Sequence, residues 1–286
     1  MGRLGSFIPN KMALSFASLN SGSNGNCYYV ENQEEAIFID AGLSCRETEK
    51  RMDRLGLSMA KVRAIFVSHE HSDHIRGISV IAKKYQLPVF ITEGTLEKSG
   101  LALESNLIRT FTAHGTVRIG GLEIISFPKL HDASDPYSFI VTCNGLKLGV
   151  LTDIGMPCEN VIRYFTSCDA AFLEANYDEE MLENGRYPLH LKSRISGDRG
   201  HLSNSQALNL FCTHGLHMSY LLLSHLSKDN NRPELVSELF KSKSQKTEII
   251  IASRDQESAI YHLQNSTSAP ITKQNERDFI QYSLFN

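Results

Sequence analysis

His69-Glu70-His71-Ser72-Asp73-His74 packs three histidines and an aspartate into six residues. An apolar, strand-like run from Val62 to Val67 leads into it, and a helical pattern at Ile75, Ile78, Ala82 and Tyr85 follows. A strand that ends in such a turn carries imidazoles at its tip. His69 and His71, two apart in extended chain, point to one side, while Asp73 and His74 turn toward a second point where the helix begins. The stretch therefore predicts a short loop able to serve two metal ions.

Single candidates of the same kind stand beyond later apolar runs: His131 after Ile124–Leu130, Asp153 after Leu148–Thr152, and His225 after Leu221–Ser224. Strand ends meeting at one sheet edge would bring the four segments together. Imidazole and carboxylate donors suit zinc, manganese, iron or nickel better than magnesium or calcium. Two adjacent cations would acidify a water between them and neutralise charge on the attacked group, so the expected chemistry is hydrolysis. Asp73 borders that water position and is a candidate to orient it or accept its proton. His190, His214, His217 and His262 lack such company and are expected to be structural; His114, within Ala-His-Gly, is expected in a loop.

Around the cluster, short strands alternate with glycine turns. Leu14–Leu19, Cys27–Glu31 and Ala36–Asp40 are strand-like, punctuated by Ser21-Gly22-Ser23-Asn24-Gly25 and Ala41-Gly42. Arg46–Leu55 reads as a helix. Further strands are expected at Pro88–Ile91, Leu107–Thr112, Leu122–Phe127, Tyr137–Thr142 and Leu146–Leu151. The second half adds helices at Glu159–Phe165, Ser203–Cys212 and Pro233–Lys241, and strands at Ala170–Leu173, Tyr220–Leu223 and Glu248–Ile251. Meandering strands with helices late in each half predict an α+β fold, two mixed sheets face to face with helices outside, in four αββα layers. A single domain is expected over residues 12–253, with 254–286 a polar C-terminal extension.

The chain has 286 residues, 41% of them hydrophobic, enough for a sizeable core. A net charge of −3 argues against general adhesion to nucleic acid and leaves room for a local basic track. Lys192, Arg194 and Arg199, in a polar, loop-like segment, are the candidates. Six scattered cysteines without a C-x-x-C pair predict reduced thiols and a cytoplasmic setting. Residues 1–11 lack the apolar core of a signal peptide, and Met12 is a plausible natural start. No apolar run reaches membrane length.

With these residues in view, the chain resembles the metallo-β-lactamase-fold hydrolases. Their H-x-H-x-D-H signature is matched by His69, His71, Asp73 and His74, and their later ligands by His131, Asp153 and His225. The resemblance implies that one ion takes His69, His71 and His131, a second takes Asp73, His74 and His225, and Asp153 bridges both. It also makes Asp40 a buried support for the ligand loop. Antibiotic-hydrolysing relatives of one class have cysteine where Asp153 stands, so that activity is not expected.

Other segments narrow the likeness. Ser21-Gly22-Ser23-Asn24-Gly25-Asn26, His131-Asp132-Ala133 with Asp135-Pro136, Gly200-His201-Leu202-Ser203-Asn204, and Leu223-Ser224-His225-Leu226-Ser227 with Asn230-Asn231-Arg232-Pro233 resemble motifs of the YycJ/VicX (WalJ) group of bacterial DNA exonucleases. The match spans about residues 12–253. It implies a cytosolic 5′-to-3′ exodeoxyribonuclease linked to mismatch repair, with two divalent ions, zinc or manganese foremost. No long insertion separates Asp153 from His225, unlike RNA-processing relatives.

A phosphodiester hydrolase needs a group for the non-bridging or leaving oxygen. His201, before a helix whose N-cap is Ser203 or Asn204, is the candidate, with Arg199, Ser203 and Asn204 as further phosphate contacts. A phosphodiesterase for cyclic or nucleotide substrates, a thioester hydrolase and a non-catalytic regulator are the alternatives.

Overall fold

The computed structural model describes residues 14–264; Met12 and residues 265–286 fall outside these. The chain opens with β1 (Leu14–Asn20), β2 (Cys27–Glu31), β3 (Ala36–Ile39), α1 (Cys45–Arg54), β4 (Val62–Phe66), α2 (Ser72–Ile75), α3 (Ile78–Tyr85), β5 (Val89–Phe90), α4 (Glu93–Ser99) and β6 (Ile108–Arg109). A meander of β7 (Thr116–Ile119), β8 (Leu122–Pro128), β9 (Tyr137–Cys143) and β10 (Leu146–Leu151) follows. Then come α5 (Glu159–Thr166), β11 (Ala170–Glu174), α6 (Glu179–Asn184), α7 (Leu189–Ser196), α8 (Asn204–His214), β12 (Tyr220–Ser224), α9 (Pro233–Lys241), β13 (Glu248–Ile251) and β14 (Tyr261–Leu263).

The strands form two seven-stranded mixed sheets, ordered β14-β1-β2-β3-β4-β5-β6 and β13-β12-β11-β10-β9-β8-β7. Side-chain alternation sorts the apolar residues into three layers. Phe16, Tyr28, Ile39 and Phe66 of the first sheet meet Phe139, Val150, Phe172 and Leu222 of the second. Outside the first sheet, Met52, Ile78 and Ile81 of α1 and α3 cover Phe38 and Ile65. Outside the second, Val161, Phe165, Phe211 and Phe240 of α5, α8 and α9 cover Leu173 and Leu223. The central strands read as unbroken apolar runs because both their faces are covered. The four αββα layers are thus present, and the fold is the one expected.

Phe172 sits at the middle of this core, its ring centre 4.7 Å from Tyr28 and 5.7 Å from Phe16. Phe172→Ala is expected to cost about 3–5 kcal/mol in urea unfolding, from lost transfer energy and the cavity left behind.

Several expectations move. The strand expected at Leu107–Thr112 shrinks to two residues. The helix expected after His74 is split at Arg76-Gly77, where the chain packs so closely that a side chain on Gly77 would meet the Leu43 carbonyl at 1.9 Å. The loop-like segment holding Lys192 and Arg194 is helical, as α7. The domain boundary at 253 falls short: β14 pairs antiparallel with β1, Leu14 opposite Leu263, and closes the first sheet. All six cysteines are free thiols. Among the described residues no helix is long and apolar enough to cross a membrane.

Candidate metal centre

Strand direction gathers the site. β3, β4, β5 and β6 run parallel, as do β10, β11, β12 and β13, while β8 is antiparallel to β9 and β9 to β10. The carboxyl ends of β3, β4, β8, β10, β11 and β12 deliver Asp40, the His69–His74 loop, His131, Asp153, Glu174 and His225 to one place. Asp40, Asp153 and His225 adopt left-handed backbone, with φ of 59°, 55° and 55°. Each strand thereby turns so sharply that its last side chain stays in the site, at a cost of roughly 1–3 kcal/mol per residue.

Seven residues named from sequence form two adjoining nests. In one, His71 Nδ1 lies 3.0 Å from His69 Nε2 and 3.3 Å from His131 Nε2. In the other, Asp73 Oδ2 lies 3.6 Å from His74 Nε2 and 3.5 Å from His225 Nε2. Asp153 stands between them, 3.2 Å from His74 Nε2, 3.4 Å from His225 Nδ1 and 3.8 Å from His131 Nε2.

The far side of most of these rings is tied down. His131 Nδ1–H donates to the Gly200 carbonyl at 3.0 Å, and His74 Nδ1–H to Asp40 at 2.7 Å. Asp40 also accepts the Ser68 backbone N–H and the Ser68 hydroxyl, both at 2.8 Å, and that hydroxyl accepts from His69 Nδ1. Asp40 therefore supports the ligand loop. Buried Lys129, its pKa lowered by burial, donates to the Thr152 carbonyl at 2.6 Å and anchors the residue before Asp153.

Two glycine turns clamp the signature loop from outside. Asn26 N–H donates to the Asp73 carbonyl at 2.7 Å, and Ala41 N–H to the His74 carbonyl at 2.8 Å. Gly42 allows this approach: a side chain there would lie 1.7 Å from the Asp73 carbonyl oxygen.

The donor set fits a metal. Asp153 Oδ2 and His225 Nε2 are buried with no hydrogen-bond partner, and unpaired buried polar atoms call for an ion or another explanation. Imidazole nitrogens of His69 and His131 converge on His71 Nδ1, at 3.0 and 3.3 Å. Charge agrees. Burial pushes His69 down and His131 down to about 4, leaving both neutral and able to ligate. Burial acts the same way on His74, but Asp153, Asp40 and Asp73 outweigh it and push it up to about 10. Burial opposes the ionised forms of Asp73 and Asp153 as well; their histidine neighbours outweigh it and hold both below the usual carboxylate range. The nests thus keep carboxylates whose charge protons balance, and a bound cation would replace those protons.

His201 adjoins the second nest, with Nδ1 2.8 Å from Glu174 Oε1 and 3.9 Å from Asp153 Oδ1. Glu174 went unnoticed in sequence. It is fully buried, and His201 and His225 lower its pKa to about 2 against the effect of burial. Oε1 also lies 2.9 Å from His225 Nδ1, while Oε2 accepts the backbone N–H groups of Ile154 and Leu202 at 2.7 and 3.1 Å. His201, its Nδ1 engaged by Glu174, lines a cleft of about 200 Å³ with Ser227, Tyr187, Leu191, Arg194 and Ile195. Asp132, given no role of its own within its motif, lies 3.4 Å from His131 Nε2 and pairs with Arg194.

Other candidates are placed elsewhere. Ser203 and Asn204 are buried. The Ser203 hydroxyl caps α8 in a capping box with Gln206, and Asn204 bonds Asn231 at 3.1 and 2.9 Å, so the polar groups of both are engaged within the fold. Lys192 donates to the Glu183 carbonyl, and Arg199 is exposed outside the cleft lining. His217 bonds the Cys168 carbonyl, His262 bonds Ser15, and His114 bonds Tyr164 from a loop.

Residues 35–226 match the beta-lactamase superfamily domain. The chain is 37% identical over 230 residues to exodeoxyribonuclease YycJ of Bacillus anthracis, covering 78% of this chain and 86% of that one. It is 33% identical over 232 residues to exodeoxyribonuclease WalJ of Streptococcus pneumoniae serotype 2, covering 79% and 86%. The metallo-beta-lactamase fold protein YhfI from Bacillus subtilis superposes with a TM-score of 0.70 over 87% of this chain and 99% of that one, at 15% identity, a likeness of fold alone. By its fold, its motifs and these relatives, the chain belongs to the metallo-β-lactamase superfamily of hydrolases, in the YycJ/WalJ group.

Proposed function

We propose that this protein is a two-metal DNA exonuclease that hydrolyses phosphodiester bonds from a strand end in the 5′-to-3′ direction. The carrying observation is His201, held by buried Glu174 at 2.8 Å and lining a cleft together with His225 of the second nest. The relatives from Bacillus anthracis and Streptococcus pneumoniae, both named exodeoxyribonucleases, support the choice of DNA. His69, His71 and His131 would hold one divalent ion, Asp73, His74 and His225 the other, and Asp153 both. Zinc or manganese suits these donors best, and iron or nickel is accepted by the same chemistry. Such ions, when bound, supply Lewis acidity and an activated water.

The chain's own groups do the rest. Asp73, at the rim of the second nest, takes the proton of the attacking water. His201 donates through Nε2 to a phosphate oxygen or to the leaving oxygen, while Glu174 fixes its orientation and supports the charged ring. Arg194, pinned to Asp132 at the cleft, meets the phosphate backbone. The resemblance adds a cytoplasmic setting and a mismatch-repair partner to the proposal.

End-labelled single-stranded and duplex DNA, blocked in turn at the 5′ or 3′ end, tests it with manganese or zinc. Stepwise shortening that a 5′ block stops is expected. Intact DNA with every divalent metal would overturn the reading, and cleavage of a small chromogenic diester alone would favour a small-molecule phosphodiesterase.

A further inference from the structure

Apart from Arg194, one wall of the cleft carries no group that the hydrolysis uses. Helix α7 has no buried residue, yet Leu191 and Ile195, four apart on one face, line the cleft together with Tyr187, two residues before the helix. Leu189, on another face, is 80% exposed. The wall is fixed in register with the reacting end of the cleft. The His201 N–H donates to the Ile195 carbonyl at 2.8 Å, and the Gly200 N–H to the Gly197 carbonyl at 2.7 Å. A side chain on Gly200 would meet the Ile195 carbonyl at 2.1 Å, so glycine is what lets helix and histidine loop touch. The Tyr187 hydroxyl donates to Asp229 at 2.7 Å, which holds its ring in place.

A wall built to grip only phosphates would present cations along its length. This one presents an aromatic ring and two branched aliphatic side chains, with one cation, Arg194, at its Asp132 end. Its complement is a flat, neutral, apolar face. On a nucleic acid, that face is a base taken out of its stack. Ser23, Asn176 and Ser227, which also line the cleft, offer hydrogen bonds to sugar and base edges.

We propose that Tyr187, Leu191 and Ile195 seat the unpaired base of the nucleotide next to the scissile phosphate, so that a strand end must leave its duplex before it is cut. This rests on the nucleic-acid reading of the site above. The seat is tolerant of base identity, because every base offers an apolar face.

Binding tests the seat without hydrolysis. Single strands carrying 2-aminopurine or an abasic residue at the terminal position, labelled at either end, are titrated against the full chain in EDTA. The terminal 2-aminopurine is expected to change its emission on binding, and the base-bearing strand to bind about tenfold more tightly than the abasic one. Leu191→Ser/Ile195→Ser is expected to bring that ratio close to one, with thermal unfolding reporting that the fold is kept; Tyr187→Leu gives an independent reading of the same ratio. Equal binding of the two strands by the native chain, or a ratio untouched by all these substitutions, would overturn the seat. A chain that keeps the ratio but cuts no DNA supports the seat and overturns the nuclease reading instead.

Discussion

Asp153→Asn protein is expected to fold, to purify with much less metal per chain, and to lose more than about 100-fold in kcat/KM, beyond the range typical of losing a supporting partner. Asp153 is the carboxylate that reaches both nests, at 3.2 Å from His74 and 3.8 Å from His131, and its Oδ2 has no hydrogen-bond partner. Asparagine keeps its size but replaces one acceptor oxygen with an amide nitrogen and removes the charge that offsets two cations. Elemental analysis reads the metal, circular dichroism reads the fold, and hydrolysis of labelled DNA reads the activity. Asp40→Asn, one bond further out, is expected to lose only about 10–100-fold. Full metal and full turnover in Asp153→Asn would mean that Asp153 does not bridge.

His201→Ala separates chemistry from metal binding. It is expected to keep its metal and to lower kcat by about 10²–10⁴-fold, the usual worth of a positioned acid or base. Glu174→Gln is expected to lower kcat too, because His201 loses its charged partner at 2.8 Å. The double variant is expected to be little worse than His201→Ala in kcat, since the two residues act as one unit. Metal loss in Glu174→Gln is a separate readout, as Glu174 also touches His225 at 2.9 Å. Turnover unchanged in His201→Ala would confine that residue to structure.

The ligand segments were legible because metal chemistry restricts residue type and because each one ends an apolar strand. The layer order was legible for a related reason: strands covered on both faces and amphipathic helices leave different patterns. Glu174 was not legible in that way. It closes the strand Ala170–Glu174 as a lone acid, and only the parallel pairing of β11 with β10 and β12 sets it beside Asp153 and His225. A carboxylate ending a fully apolar strand, at the same strand end as the other ligands, was the available signal. Ser203 was legible as a helix cap from its Ser-x-x-Gln pattern, and its burial with Asn204 favours that structural role. Helix α7 escaped because a surface helix of eight residues buries nothing, and its apolar residues Leu189, Leu191 and Ile195 do not fall on one face. β14 escaped because a three-residue edge strand draws its pairing from backbone groups rather than from a side-chain pattern.

That edge strand has a consequence for how the molecule comes into being. β1 enters the first sheet with its partners β2 and β14 far apart in sequence; Ser15 meets His262 across 247 residues. During synthesis, one edge of β1 stays open until residue 263 has emerged, and Ser21, which receives the His225 amide at 2.8 Å, waits nearly as long. A ribosome-bound chain therefore carries an unpaired, apolar strand edge through most of its translation. Long-range closure of this kind is slow and exposes the nascent chain to edge-to-edge association. Chaperone demand and yield on fast expression should thus depend more on residues 255–263 than on any residue of the hydrolytic centre.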